Sequence, residues 1–404
     1  RLAMEIGLAN SLGVSLANAE VEAARAQTLQ AGSEGRLAFA TDFQKLRGEP
    51  DRMWDASPGL SSGLSSQANP ENLGMVRARV SYPLWGGAFR ERMQVAELAE
   101  KQAMSNLALA FRDSARRIRH AYFRVLLERD RLAVADWEVR KRRELLAVAE
   151  AQLASGKVAP FVVYRHQSEL AAAEQRTNVV RAGLVSSEAT LKAALGVEVT
   201  STFRYLDRFE SPPDPGSQDD LLARALEDRP DLIAARFGVE EGARRINLAH
   251  AEHGLQVNVG AQYSTVGNGG LDARYTGQYT GGLSLSMPIF DGGNYQAEVD
   301  KAEALKKSRE LQLADLELEV TRQVVEARAR LDAARANQEL SETARARAEE
   351  DMKIAIMRFE VGQGEPLDAL DTLMAVSRAR FNWVQAAYDA NVAYADLLFA
   401  TGRF

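Results

Sequence analysis

The chain has 404 residues, of which 50 are basic and 56 are acidic, and its formal net charge is −6. Because the two signs are interleaved along the chain, as on solvated helix faces, this balance gives no support to nucleic-acid binding. The chain contains no cysteine, which excludes disulfide bonds and thiolate metal sites. No segment approaches 18 consecutive apolar residues, so no transmembrane helix is predicted.

The first half of the chain predicts one helix, then two strands, then two long helices. Leucines and alanines spaced three to four residues apart indicate the opening helix, after which the apolar period changes from 3.6 to 2. The helix that follows the strands contains neither glycine nor proline for 68 residues. At ~1.5 Å per residue, such a helix is about 100 Å long. The predicted elements are 2–31, 36–44, 76–84, 88–155 and 160–195.

The second half repeats this order, which indicates a duplicated structural unit. One motif occurs twice, as Ser81-Tyr82-Pro83-Leu84-Trp85-Gly86-Gly87 and as Ser286-Met287-Pro288-Ile289-Phe290-Asp291-Gly292-Gly293. The helical runs then stop at matching breakers, Gly156 with Pro160 and Gly362 with Pro366, and the two sets are 206 residues apart. The elements of the second half are 219–252, 255–264, 275–289, 294–361 and 366–401. We therefore predict two structural repeats, 1–204 and 205–404, that interleave in one fold.

Each predicted strand has one apolar face and one polar face; Val257 and Val259, for example, alternate with Asn258 and Gly260. Such a strand fits a sheet with one face on a core and one in water. It fits equally a transmembrane β-barrel, with one face in lipid and one on a polar lumen. The strand pattern alone leaves both open. The lack of further predicted strands, and aromatic residues near the strand ends, favour the barrel.

Four strands are too few to close a barrel, because single-chain barrels begin at about eight strands. We therefore predict that the chain forms an oligomer. Two copies would supply eight strands and three would supply twelve. We favour three, because each chain also brings several long helices to the same axis. Apolar positions spaced near 3.5 residues indicate that these helices pack as coiled coils.

The sequence offers little support for an enzyme. Of the four histidines, only His250 and His253 are close together, and no further metal ligands accompany them. No phosphate-binding loop, nucleophile elbow or Cys/His pair is present. We predict no catalytic residue, no metal site and no cofactor.

The glycines and prolines that end the predicted strands and helices define two groups of candidate structural residues. The strand-to-helix corners comprise Pro83, Gly86, Gly87, Pro288, Gly292 and Gly293. The hairpin tips, with the surfaces that a partner could contact there, comprise Gly156, Pro160, Val361, Gly362, Gln363, Gly364, Glu365 and Pro366.

Two carboxylates follow the second tip. Asp368 and Asp371 are three residues apart, so both lie on one face at the start of a helix. Acids at this place stabilise the first helical turn through the helix dipole. Repeated by symmetry around an axis, they would instead form two acidic rings at the narrow end of a tube. The first half has 161–164, Phe-Val-Val-Tyr, at the same place, so the two halves have diverged at their tips.

With these features, the chain resembles the TolC family of trimeric outer-membrane export channels. The resemblance covers nearly the whole chain and is strongest over 358–362 and 367–371. It implies a homotrimer with a twelve-stranded barrel in the outer membrane of a Gram-negative bacterium and a helical tunnel extending into the periplasm. It also implies that Asp368 and Asp371 are gate residues and that the hairpin tips contact a periplasmic adaptor.

The function that the resemblance implies is passive export. The implied partners are outer-membrane lipid, an adaptor of the membrane fusion type, and an inner-membrane transporter of the RND, ABC or MFS type. Two positions depart from the family pattern: 361–365 lacks the arginine that relatives often have in this turn, and Val162 stands where some relatives have an acid. The competing class is a soluble periplasmic coiled-coil adaptor whose strands form a small sheet.

Overall fold

A computed structural model describes residues 2–47, 72–86, 88–203, 208–267, 275–361, 363 and 366–403. These residues form long helices and one four-stranded sheet, which confirms the predicted fold class. The elements of the first half are α1 (Leu2–Ala9), α2 (Leu12–Ser33), β1 (Ala38–Arg47), β2 (Asn72–Trp85), α3 (Ala88–Ala154) and α4 (Pro160–Ala194). Those of the second half are α5 (Gln218–Asp228), α6 (Pro230–Glu252), β3 (Gln256–Gly267), β4 (Tyr275–Ser286), α7 (Asn294–Glu360) and α8 (Pro366–Ala400).

The predicted opening helix over 2–31 is wrong in one respect, because two helices occupy this segment. The hydroxyl of Ser11 accepts a hydrogen bond from the amide of Val14 at 3.4 Å, so Ser11 caps a new helix. The same hydroxyl lies 2.8 Å from that of Ser114 on α3. A polar residue that resembled an ordinary helix position thus ends one helix and begins the next.

The prediction over 219–252 is wrong for a different reason. Pro230 has no amide hydrogen to continue a helix and restricts the residue before it. Arg229 accordingly adopts an extended conformation, with φ −70° and ψ 124°, and separates α5 from α6. Ser217 caps α5 by accepting a hydrogen bond from the amide of Asp220 at 3.2 Å.

The strands form a single antiparallel sheet in the order β1-β2-β3-β4. Strands β2 and β3 come from different halves of the chain, and their pairing joins the halves. Strand β4 ends at Ser286 rather than at the predicted 289. Pro288, which cannot donate a hydrogen bond to a strand ladder, follows two residues later.

The register of the strands confirms the predicted alternation, because directly paired residues share a face. Val257 pairs with Leu285 and Val259 with Leu283, which places these four residues on one face. The opposite face carries the pairs Asn258 with Ser284, Gln262 with Thr280, and Ser264 with Gln278. The sheet therefore has an apolar face and a polar face across its four strands, with Lys45 and Arg47 at the end of β1 as charged residues on the apolar face.

The two halves share their helix endings as well as their element order. At the tips, the amide of Lys157 donates to the carbonyl of Gln152 and that of Gln363 to Arg358, both at 2.9 Å. At the ends of α4 and α8, the amide of Val197 donates to the carbonyl of Lys192 and the amide of Arg403 to the carbonyl of Leu398. These bonds are the six-to-one bonds of Schellman caps, 206 residues apart in each case. The internal repeat is therefore present in local geometry.

By packing, the chain divides into two compact units. The first contains Arg1–Ala19, Met104–Ala234 and Ala314–Phe404, and the second contains Glu20–Ala103 and Ala235–Leu313. Each unit combines segments from both halves of the sequence. The first unit holds buried apolar clusters between its helices, and the second contains the sheet. Within the described ranges, no helix combines the length and the apolar character that crossing a membrane requires.

Two glycines with positive φ angles allow a matched test of packing. Gly156 has φ 72° and no atom within 4 Å of an added Cβ, whereas Gly196 has φ 65° and would place a Cβ 2.8 Å from the carbonyl oxygen of Asn10. We expect Gly156→Ala to cost about 1 kcal/mol of stability through backbone strain alone. Gly196→Ala should cost more, because the strain is joined by a clash. Thermal unfolding midpoints measure this, and equal losses would contradict the close approach of Asn10.

Candidate functional site

The two hairpin tips are built by the same local chemistry. Gly156 closes α3 in a left-handed conformation, and Ala159 is extended (φ −84°, ψ 155°) before Pro160 begins α4. In the second tip, the amide of Val361 still bonds the carbonyl of Met357 at 3.2 Å. Pro366 then begins α8. Of the residues predicted for this tip, Gly362, Gly364 and Glu365 lie outside the part of the chain that the structure describes.

The predicted gate residues lie on one exposed face of α8. Asp368 and Asp371 are both exposed, whereas the neighbouring Ala369, Leu370 and Leu373 are at most 3% exposed. Burial of these apolar residues fixes the rotation of the helix, so both carboxylates point away from the core of their own chain. Neither carboxylate forms an ion pair with a described residue.

One apolar cluster joins the tip regions of both hairpins. It combines side chains of α3, α4, α7 and α8, namely Leu145, Ala149, Val162, Val163, Met352, Phe359, Ala369, Leu373 and Val376. The amide of Gln152 adds a bond across the cluster, donating to the carbonyl oxygen of Phe359 at 2.9 Å. The tips of the two repeats are therefore packed against each other within one chain.

The tips differ in what they expose. Val162, at the position where some relatives have an acid, is 8% exposed and belongs to the apolar cluster. Its neighbours Phe161 and Tyr164 are 69% and 67% exposed. The first tip thus exposes aromatic side chains where the second exposes the carboxylates of Asp368 and Asp371.

Sequence reasoning missed a buried charge cluster that lies behind the tips. The carboxylate of Glu138, 4% exposed, accepts hydrogen bonds from Arg142 at 2.9 Å and Arg176 at 2.7 Å. It also accepts one from the hydroxyl of Ser377. Arg142, 1% exposed, donates in addition to Glu169 at 3.0 Å. This buried charge cluster links α3, α4 and α8.

Burial and bonding act in opposite directions on the acid of this cluster. Burial raises the pKa of Glu138, but the hydrogen bonds from Ser377, Arg176 and Arg142 outweigh it, and the pKa lies below the ordinary 4.5. The neighbouring His166 is 1% exposed and stacks on Phe359 with ring centroids 6.0 Å apart. Burial lowers the pKa of His166, and the charges of Arg142 and Arg165 lower it further, while Glu169 opposes them. The imidazole is therefore neutral at pH 7.

The described glycines of the strand-to-helix corners adopt left-handed backbone conformations. Gly86, Gly292 and Gly293 have positive φ angles of 144°, 71° and 91°, while Gly87 lies outside the described residues. Pro83 lies at the irregularity near the end of β2, and Pro288 follows β4.

Asp291 of the second corner has a role that sequence reasoning did not identify. Its carboxylate accepts hydrogen bonds from the amides of Gly293 at 3.1 Å and Tyr295 at 2.6 Å, so it caps α7. His250 and His253 both pack against Tyr295. In the described ranges, no group of three or more histidines and acids could hold a metal ion.

The buried charge cluster predicts a large effect of one conservative substitution. Glu138→Gln should cost about 3 kcal/mol at pH 7, because it removes the buried carboxylate that Arg142 and Arg176 share and leaves Arg142 with Glu169 alone as a charged partner among the described residues. A depressed carboxylate pKa stabilises the fold above pH 4.5 and loses this contribution as the pH falls through the folded-state value. The variant should therefore lose less stability on acidification than the parent does. Denaturant unfolding at several pH values measures both effects.

The matched control is Glu144→Gln on the same helix. Glu144 is 62% exposed and pairs with Lys141 at 2.6 Å, so its loss should cost no more than about 1 kcal/mol. Equal costs at the two positions would mean that Glu138 is not a buried partner of Arg142.

Comparison with known proteins agrees with the fold and with the repeat. The family model described as outer membrane efflux protein matches residues 50–197 and 221–403. Among curated proteins, the cobalt-zinc-cadmium resistance protein CzcC of Cupriavidus metallidurans is 26% identical, over 76% of this chain and 72% of its own. The outer membrane efflux protein BepC of Brucella suis is 25% identical, over 86% of this chain and 76% of its own.

Solved structures show the same fold at low sequence identity. The outer membrane protein VceC of Vibrio cholerae superposes with a TM-score of 0.79 at 18% identity, over 99% of this chain and 95% of its own. The open state of the MtrE outer membrane channel of Neisseria gonorrhoeae superposes with a TM-score of 0.80 at 18% identity, over 99% of this chain and 88% of its own. The family match and the curated relatives favour an export duct over the soluble adaptor. The chain belongs to the outer membrane efflux protein family and serves as an export duct of the Gram-negative outer membrane.

Proposed function

We propose that three copies of this chain form one passive duct, which receives its cargo from an inner-membrane transporter through a periplasmic adaptor. The observation that supports this most strongly is the sheet. Among the described strands, β1 pairs only with β2, and β4 pairs only with β3. Both outer strands therefore offer a row of unpaired backbone groups. Pairing β1 of one copy with β4 of the next satisfies both rows.

The two faces of the sheet suit a barrel wall. On the apolar face, Phe39 and Phe43 of β1 and Leu283 and Leu285 of β4 are each 57% to 69% exposed in the single chain. Such a row of exposed apolar side chains is suited to contact with lipid. The opposite face, with its amide and hydroxyl side chains, then lines the passage. Three copies supply twelve strands, and four are too few to close a barrel.

The helical hairpins supply the periplasmic part of the duct in this proposal. The exposed pair Asp368 and Asp371 would form two acidic rings in a trimer and act as the gate. The tip residues, including Gly156, Pro160 and Gln363, would contact the adaptor. Each repeat, 1–204 and 205–404, would contribute one strand pair and one hairpin. The duct itself catalyses no reaction, and the transporter, of the RND, ABC or MFS type, supplies the energy.

The first prediction concerns assembly. The protein should require detergent for purification and should be trimeric in it, because its sheet edges and exposed apolar side chains need partners. Native mass spectrometry in detergent measures the stoichiometry. A dominant monomer or dimer would contradict the twelve-stranded barrel.

The second prediction concerns the gate. Six carboxylates around a narrow mouth attract cations, so the parent duct should prefer cations and be blocked by trivalent cations from the tip side. The double substitution Asp368→Asn with Asp371→Asn should reduce both effects. It should leave assembly intact, because a helix-start charge contributes only ~0.3–1 kcal/mol. Single-channel recording in planar bilayers measures selectivity and block.

The control for the gate is Asp389→Asn on the same helix. Asp389 is also exposed, and it accepts a hydrogen bond from Gln385 at 2.7 Å. It lies 18 residues beyond Asp371, about 27 Å along the helix. Block that is unchanged in the double variant, or reduced as much by the control, would return Asp368 and Asp371 to the role of helix-start acids.

A further inference from the structure

The polar face of the sheet carries few charges, and they are unevenly balanced. Strands β3 and β4 contain no charged residue. On β1 and β2 the polar face holds Asp42, Arg77 and Arg79. The strand register arranges these side chains in rows across the sheet. Asp42, Arg77, Ser264 and Gln278 form one row, and Ala40, Arg79, Gln262 and Thr280 form the next.

The two arginines have different partners. Arg77 lies 3.8 Å from the carboxylate of Asp42, so the charge of this row is balanced. Arg79 donates instead to the neutral amide oxygen of Gln262, through Nε at 3.3 Å and Nη2 at 3.2 Å. In the described part of the chain, no carboxylate forms an ion pair with Arg79. The amide of Gln262 holds the guanidinium against the sheet without neutralising it.

The row next to Arg79 leaves room for a solute. It consists of Ala38, Ser81, Gly260 and Gly282, so two of its four positions have no side chain. A groove of about 260 Å³ lies here, lined by Arg79, Ser81, Gly260, Gln262, Thr280 and Gly282 among others. It combines a fixed positive charge with the hydroxyl groups of Ser81 and Thr280. A guanidinium with neighbouring hydroxyl groups is suited to bind a carboxylate.

We propose that Arg79 and the groove beside it form a binding subsite for carboxylate-bearing anions in the strand portion of the duct. The subsite rests on the proposed function, because it requires the polar face to line the passage. A trimer would contain three such subsites at one level of the barrel. The strand portion would then attract anions, whereas the acidic rings at the tips attract cations.

The test is current block by citrate in planar bilayers. Citrate is added to the chamber into which the strand portion of the duct opens. The ionic strength is kept low, because salt screens exposed charges. The parent duct should show concentration-dependent block, and Arg79→Gln should raise the half-blocking concentration about tenfold, since the fixed charge no longer concentrates anions. Arg79→Lys keeps the charge without the planar fork and should give an intermediate value. Native mass spectrometry that gives the parent stoichiometry for each variant shows that the variants assemble.

The matched control is the double substitution Asp42→Asn with Arg77→Gln, which removes a balanced pair from the next row without changing the net charge. It should leave the citrate block at the parent value. The subsite is overturned if citrate blocks the Arg79→Gln variant at the same concentration as the parent. It is also overturned if the control substitution raises the half-blocking concentration as much as Arg79→Gln does. Normal conductance without any citrate block in the parent also overturns the subsite alone. A parent that conducts no ions overturns the duct and the subsite together.

Discussion

The constraint on which the structure depends is a sheet that one chain cannot complete. Its faces differ in polarity, so they need two different surroundings, and both of its outer strands have an unpaired edge. A single chain in water leaves Phe39, Leu283 and Leu285 exposed on the apolar face. A closed barrel in lipid satisfies the edges and both faces together. The pairing of β2 with β3 joins the strand pairs of the two halves in one sheet.

The duplication supplies the same local framework twice, and the two halves then expose different side chains at their tips. Both hairpins end in the same Schellman hydrogen bonds. Beyond them, the first copy exposes Phe161 and Tyr164, while the second exposes Asp368 and Asp371. The apolar cluster near the tips and the buried charge cluster around Glu138 hold the hairpins of the two halves together within one chain. A rigid base of this kind allows exposed residues to diverge without loss of the frame.

The sequence was sufficient where local chemistry decides the structure. Glycine and proline placed the ends of the four long helices within one residue, since breakers act through their own backbone. It failed where distant groups decide. Ser11 became a cap, and Glu138 and Arg142 looked like an ordinary surface pair although three helices bury them. That Asp42 neutralises Arg77 but no carboxylate in the described part of the chain neutralises Arg79 follows from the strand register, which the alternation of apolar and polar residues does not predict. Asp368 and Asp371 are exposed on one face of α8, and their role as a gate stays a prediction.

The central claim is that the polar face of the sheet lines a water-filled passage and the apolar face contacts lipid. The absence of native cysteine allows a direct measurement, since Gln262→Cys and, separately, Val259→Cys each introduce a single thiol. A charged, membrane-impermeant maleimide applied to intact outer membranes should label the position of Gln262 and not that of Val259, and both should react after denaturation. Equal labelling in intact membranes, or labelling of the Val259 position alone, would contradict the account.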